Sequence, residues 1–209
     1  MTPSETTSPQ RDAAQSSPRG GQRVPRRVTP QRLHNRALFY LQRFASSSAN
    51  LRRVLLRGAL RSARHHGAPT EAEVVRMVDD LIARLQAAGL LNDPLYAEGQ
   101  ARGLARAGRS PRMIRAKLAQ KGVARDEVDR ALDGLAEKAE DVELRGALIL
   151  ARKRGIGPFR PEPDGRTEHR QKDLAVLARA GYGYDVARRV IDAESAEDLE
   201  EEVGAAALY

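Results

Sequence analysis

The stretch "AKLAQKGVARDEVDRALD", Ala116 to Asp133, reads as a short helix, a glycine and a second short helix. A second stretch, "AVLARAGYGYDVARRVID", Ala175 to Asp192, overlays it without a gap. Ala116, Leu118, Ala119, Gly122, Asp126, Arg130 and Asp133 fall on Ala175, Leu177, Ala178, Gly181, Asp185, Arg189 and Asp192. Such a unit restricts the fold sharply. A helix reverses direction cheaply where glycine takes the left-handed conformation just past its end. One unit of this size buries little by itself, so copies are expected to stack and share an apolar seam.

Three copies are expected. Residues 33–89 form the first three-helix repeat, 94–135 the second and 141–193 the third, with turns at Gly89, Gly122 and Gly181. In the second copy Ser110, Ile114 and Leu118 precede Gly122; Ser47, Leu51 and Leu55 keep the same spacing in the first. The first copy then departs, because Ala59–Glu73 replaces the tight turn. The third carries a Pro- and Gly-rich loop, 156–168.

Cap signals place the helices. Leu33, Ala37, Tyr40, Leu41 and Phe44 make one apolar stripe. Leu51, Val54, Leu55 and Ala59 make a second, and Val74, Val78, Leu81, Ile82 and Leu85 a third. Thr70 and Glu73 stand at capping-box spacing. Asp93 reads as an N-cap with Pro94 at the first helical position, and Ser110 with Pro111 repeats the device. No segment alternates with period two, and no β-hairpin signal joins β-rich runs. The expected fold is all-α: tandem three-helix, helix-turn-helix-like repeats in an elongated, curved array. Aromatics at 4% with no Trp fit a core of Ala, Leu, Val and Ile.

Residues 1–30, rich in Ser, Thr, Pro, Gln, Gly and Arg, are expected to be a disordered basic arm. Arg19, Arg23, Arg26, Arg27, Arg32 and Arg36 supply its charge, read as solubilising because no aromatic is interleaved for stacking. Residues 194–209 read as an acidic tail, either a frayed helix or disordered, with Glu194, Glu197, Asp198, Glu200, Glu201 and Glu202 lacking a basic partner.

Chemistry is sparse. There is no phosphate-cradling glycine loop and no strand-linked dinucleotide fingerprint. His34, His65, His66 and His169 are scattered, and Asp79 with Asp80 reads as a solvated pair. With no cysteine, disulfides and thiolate metal sites are excluded. No catalytic, metal or cofactor site is expected. The N-terminus has no apolar core of a secretory signal, and no apolar run is long enough to cross a bilayer. A cytoplasmic monomer without membrane contact is expected.

The net charge of +8 points to a polyanion or an acidic protein surface. The candidate contacts are Arg52, Arg53 and Arg57 in the first repeat and Arg109, Arg112, Arg115, Lys117 and Lys121 in the second. Arg152, Lys153, Arg154, Arg170 and Lys172 follow in the third. No Asn, Gln and Arg cluster suits base-edge readout, which weakens the alternative of a helix-turn-helix transcription regulator.

The segment "GLLNDPLYAEGQARGLARAGRSPRMIRAKLAQKGVARDEVDRAL", Gly89 to Leu132, resembles the central part of the RecX family, regulators of the RecA recombinase. The resemblance rests on Gly89, Leu90, Leu91, Asp93, Tyr96 and Ala97, then Ile114, Leu118, Lys121, Gly122 and Val123. The flanks extend it to about residues 33–193. Asn92 stands where the family often has a second Asp. The resemblance implies an elongated array binding the RecA–single-stranded DNA filament along its groove. It also implies interference with filament growth, ATP hydrolysis and strand exchange, damping recombination and the SOS response. Contact with single-stranded DNA would be weak and blind to sequence.

Overall fold

The helix boundaries follow their capping side chains. In the computed structural model, which describes residues 24–136 and 141–203, α1 spans Pro30–Leu41, α2 Ser48–His66 and α3 Glu71–Ala87. Next come α4 at Asp93–Arg106, α5 at Pro111–Gln120 and α6 at Arg125–Ala136. The last four are α7 at Val142–Arg154, α8 at Arg166–Arg179, α9 at Tyr184–Ile191 and α10 at Ala196–Glu202. Two 3₁₀ turns, Gly157–Phe159 and Pro163–Gly165, lie between α7 and α8. No strand occurs among the described residues, and the all-α expectation holds.

Side-chain oxygens of Ser47, Ser110, Asp141 and Ser195 accept the orphan N–H groups at the starts of α2, α5, α7 and α10. Thr70 and Glu73 close a full capping box on α3. At α4 the cap is Asn92, whose Oδ1 accepts from Leu95 N at 2.9 Å, and not Asp93 as the sequence suggests. Asp93 sits one residue inside, where its carboxylate faces another helix.

Buried side chains fall into three clusters. The first joins Leu33, Ala37, Leu51 and Leu55 to Val74, Val78 and Leu81. The second joins Ala97 and Ala101 to Ile114, Leu118, Val123, Val128 and Leu132. The third joins Leu144, Leu148, Leu174, Leu177, Ala187 and Val190, with Leu199 of α10. A fully buried Leu, Ile or Val contributes about 1.5–3 kcal/mol. Ala97 and Ala101, both 0% exposed, let α4 lie close on α6.

Four details differ from the sequence reading. Phe44 is not in the stripe of α1; it lies beyond the helix end and is 57% exposed, its ring 5.3 Å from Tyr40. The Ala59–Glu73 stretch is no separate insertion. Helix α2 runs on to His66, because Ala59, Ser62 and Ala63 continue its buried face, and turns at Gly67. Residues 24–29, expected as disordered arm, are strapped to α2: Ser62 Oγ donates to the Arg26 carbonyl at 2.6 Å, and His66 Nε2 donates to the Pro25 carbonyl. The rest of that arm, 1–23, lies outside the described residues, as does 204–209 of the tail. The tail's acidic residues do find basic partners. Glu200 pairs with Arg152 at 2.8 Å and Glu202 with Arg189, while Leu199 anchors α10 in the third cluster.

Candidate interface on the second helices

The two copies of the opening motif meet a common kind of joint. Ser47, the N-cap of α2, donates its hydroxyl proton to the carbonyl of Lys121, the C-cap of α5. Its Oγ also accepts from Asn50 N at 3.2 Å. Ser110, the N-cap of α5, donates in the same way to the carbonyl of Ala180, the C-cap of α8, at 3.0 Å, and accepts from Met113 N at 3.2 Å. Each acceptor carbonyl immediately precedes a turn glycine, Gly122 (φ +75) or Gly181 (φ +92). One serine thus caps its own helix and ties down an orphan carbonyl of the next group's helix.

Close approach at these joints demands glycine as much as the backbone angle does. A Cβ on Gly122 would lie 2.6 Å from Ala49 Cβ, and one on Gly181 would lie 2.5 Å from Ser110 Oγ. Asp93 strengthens the first joint: its Oδ1 accepts from Ser48 N, the first helical N–H of α2, at 2.8 Å. The second joint needs no such acceptor, because the matching position is Pro111, which has no N–H.

The joints set α8, α5 and α2 in series, the C-terminus of one against the N-terminus of the next. Carbonyl ends meet N–H ends, a favourable dipole arrangement. Arg53 adds to the α5–α2 contact by donating to the Gln120 carbonyl at 3.3 Å and to Asn50 Oδ1 at 2.8 Å.

The basic residues marked from sequence now divide. Six are engaged within the molecule. Arg52 grips Asp79 through two hydrogen bonds of 2.6 and 3.1 Å, which hold that carboxylate below its ordinary range. Arg115 pairs with Asp129 at 2.9 Å. Arg170 binds both oxygens of Asp192 at 2.7 Å; its hydrogen bonds are the main cause of the lowered Asp192 carboxyl and the raised guanidinium. Arg152 pairs with Glu200 and lies 5.6 Å from the Phe159 ring centroid, and Lys153 donates to the Arg106 carbonyl. Arg53 bridges the joint. Exposed pairs of this kind are worth little in stability, but carboxylates offset the charge of Arg52, Arg115, Arg152 and Arg170, whereas Arg53 and Lys153 are held by neutral oxygens.

The others keep their charge. Arg57, Arg112, Lys117, Lys121, Arg154 and Lys172 are exposed and make no side-chain ion pair or hydrogen bond among the described residues. Arg57 belongs to α2, Arg112 and Lys117 to α5 with Lys121 at its C-cap, and Lys172 to α8, the three helices the joints connect. Arg109 stands apart: with Arg102, Arg106 and Arg145 it lines a cavity of about 200 Å³ between α4, α6 and α7. Sequence reasoning missed the joint residues Asp93 and Ala49. The spacing of Ser47 and Ser110 was visible, but the acceptor carbonyls lie 74 and 70 residues away.

No group of three or more His, Cys, Asp or Glu among the described residues could hold a metal ion. No described helix is long and apolar enough to cross a membrane. These features define a class: a tandem array of three-helix groups, tied through serine–carbonyl joints, with unpaired cations on the connected helices.

The relatives are consistent with that class. A family model described as "RecX, second three-helix domain" matches residues 92–132. The regulatory protein RecX of Myxococcus xanthus (strain DK1622) is 44% identical over 177 residues, covering 84% of this chain and 92% of that one. The regulatory protein RecX of Agrobacterium fabrum is 32% identical over 168 residues, covering 79% and 85%. A crystal structure of RecX from Lactobacillus salivarius superposes with a TM-score of 0.53 at 22% identity, over 78% of this chain and 94% of that one, a likeness of fold alone. The chain belongs to the RecX family of regulatory proteins.

Proposed function

We propose that this protein binds the RecA–single-stranded DNA filament and restrains it, lowering ATP hydrolysis and strand exchange. The observation that carries the reading is the series of unpaired cations Arg57, Arg112, Lys117, Lys121 and Lys172 on α2, α5 and α8. A filament of protein and DNA repeats its acidic groups and phosphates along its length. A series of helices joined end to end repeats cations in kind, and each contact is individually weak and salt-screened. Family membership supplies the class of function, and the array supplies a way to perform it without a reacting group. Action in the cytoplasm as a monomer, damping recombination and the SOS response, belongs to the same reading.

The test is RecA's DNA-dependent ATPase and strand exchange with and without this protein. Inhibition at about stoichiometric amounts is expected. Reversing the charge of Arg112, Lys117 and Lys121 together should abolish inhibition while leaving the thermal midpoint unchanged, because none of the three holds the fold together. No inhibition by the unmodified chain would end the proposal. Full inhibition by the reversed variant would move the contact off α5.

A further inference from the structure

We propose that the groove between residues 25–28, α1 and α2 is a seat for the phosphodiester backbone of nucleic acid. Arg26 and Arg27 from the strapped segment, Arg32 and Arg36 from α1 and Arg61 from α2 line a cavity of about 550 Å³. All five are exposed. Arg32 donates to the Arg27 carbonyl at 3.2 Å; the other four guanidinium groups make no hydrogen bond or ion pair among the described residues.

No carboxylate among the described residues relieves this charge. No Asp or Glu stands between Asp12 and Glu71, so the segment, α1 and α2 contribute none. Helix α3 packs on both α1 and α2, but its acids are mostly committed elsewhere. Glu71 holds Arg64 at 2.7 Å, Glu73 closes the cap at Thr70 and Asp79 holds Arg52. Asp80 is the one carboxylate of α3 without such a contact, and it does not line the groove. Five like charges held together repel one another, and an anion spanning them removes that cost.

The site is built. Ser62 and His66 fasten the strapped segment by its backbone carbonyls, leaving its guanidinium groups to face out. Gly58 leaves the surface of α2 flat where the Arg36 guanidinium rests; a Cβ there would lie 2.2 Å from Arg36 Nη1. A protein partner would need apolar or aromatic anchors at the centre of its contact. Here the lining holds no aromatic ring; the apolar Leu33 and Ala59 are buried beneath it, and only the half-buried Pro25 and Val28 add apolar surface. Phosphodiester chemistry needs only the cations, which also makes the site indifferent to base sequence. The inference deepens the DNA contact proposed above and rests on it for its biological role. Its test contains no recombinase, so the two fail separately.

The test is fluorescence anisotropy of the full chain on a labelled thymidine 30-mer and a duplex of equal length, across salt. R26Q/R27Q/R36Q/R61Q is compared with R76Q/R84Q/R102Q/R179Q, which loses the same charge elsewhere. The groove variant should bind at least about tenfold more weakly, with a salt slope shallower by about 3, at roughly 0.7 per phosphate contact. The control should change less than about twofold. Equal loss in both variants overturns the site, and so does displacement by poly-glutamate as effective as by unlabelled oligonucleotide. Gly58→Ala gives an independent reading: a helix-interior alanine does not lower the thermal midpoint, yet its methyl displaces Arg36. Weakened binding with the midpoint held or raised supports the seat; unaltered binding overturns the placement of Arg36 in it.

Discussion

Replacing Gly122 by alanine tests whether the joint between α5 and α2 is a built contact. Two costs should combine. Alanine at φ +75 carries left-handed strain of about 1–2 kcal/mol. Its Cβ would also sit 2.6 Å from Ala49 Cβ, where carbon atoms prefer about 3.5–4.0 Å. The Ala49 methyl has no torsion by which to move aside, so the first turn of α2 must retreat by about 1 Å. That retreat breaks the hydrogen bond from Ser47 to the Lys121 carbonyl, worth about 1 kcal/mol. The sum is about 2–3 kcal/mol. Gly89 is the matched control: φ is +71, but nothing lies within 4 Å of a built Cβ. Gly89→Ala should therefore show strain alone. For a chain of this size the thermal midpoint should fall by roughly 4 °C in Gly89→Ala and roughly 8 °C in Gly122→Ala. Differential scanning calorimetry on both variants reads this directly. Ser47→Ala added to Gly122→Ala should cost less than Ser47→Ala alone, since the Lys121 contact is already gone and only the cap on Asn50 N is left to lose. Equal midpoints for the two glycine variants, or full additivity of Ser47→Ala, would refute the argument.

Other sites give further outcomes. The Tyr182 hydroxyl is buried with no hydrogen-bond partner among the described residues, and burial pushes its ionisation well above the usual phenol range; Tyr182→Phe should raise the thermal midpoint by roughly 2–4 °C. Asp173, 3% exposed, accepts from Gly157 N at 3.1 Å and from Arg160 at 2.8 Å. Asp173→Asn should cost about 3 kcal/mol and speed amide exchange in 156–160. Asp79, Asp126 and Asp192 have carboxyls lowered in the folded state, chiefly by hydrogen bonds from Arg52, Arg130 and Arg170. Their stabilisation is complete above the unfolded carboxyl value, near pH 4, and is lost as pH falls through the lowered folded values. Thermal midpoints should decline below about pH 4, and Arg170→Gln, which removes the Asp192 share, should flatten that decline.

Much was legible in the sequence because it depends on near neighbours. Thr70 and Glu73, Ser110 and Pro111, and the glycines at 89, 122 and 181 act over three or four residues, so spacing alone places the helix ends. The stripes of Val74, Val78 and Leu81, or Ile114 and Leu118, follow from helical period. The all-α class and the three core groups rest on these. Where the reading failed, a distant contact decided. Asn92 took the cap because Asp93 was drawn to Ser48. Phe44 left the stripe because α1 ends at Leu41, and of the two readings of the tail the packing of Leu199 on the third cluster selects the helix.

The basic candidates show the same divide. The sequence marked thirteen cations by type and periodicity, and each of them lies on a helix, at a helix end or in an adjoining turn. Periodicity cannot tell a guanidinium held by Asp79 or Asp192 from one facing water, since those carboxylates arrive from other helices. The groove arginines at 26, 27, 32 and 36 were read as part of a solubilising arm, although the missing carboxylates between Asp12 and Glu71 were there to see. By itself the sequence determined helices, turns, charge and family likeness, which are local or compositional. The tertiary structure decided which serine meets which carbonyl and which cations stay unpaired. Those are long-range encounters, fixed only when separate helices share a core.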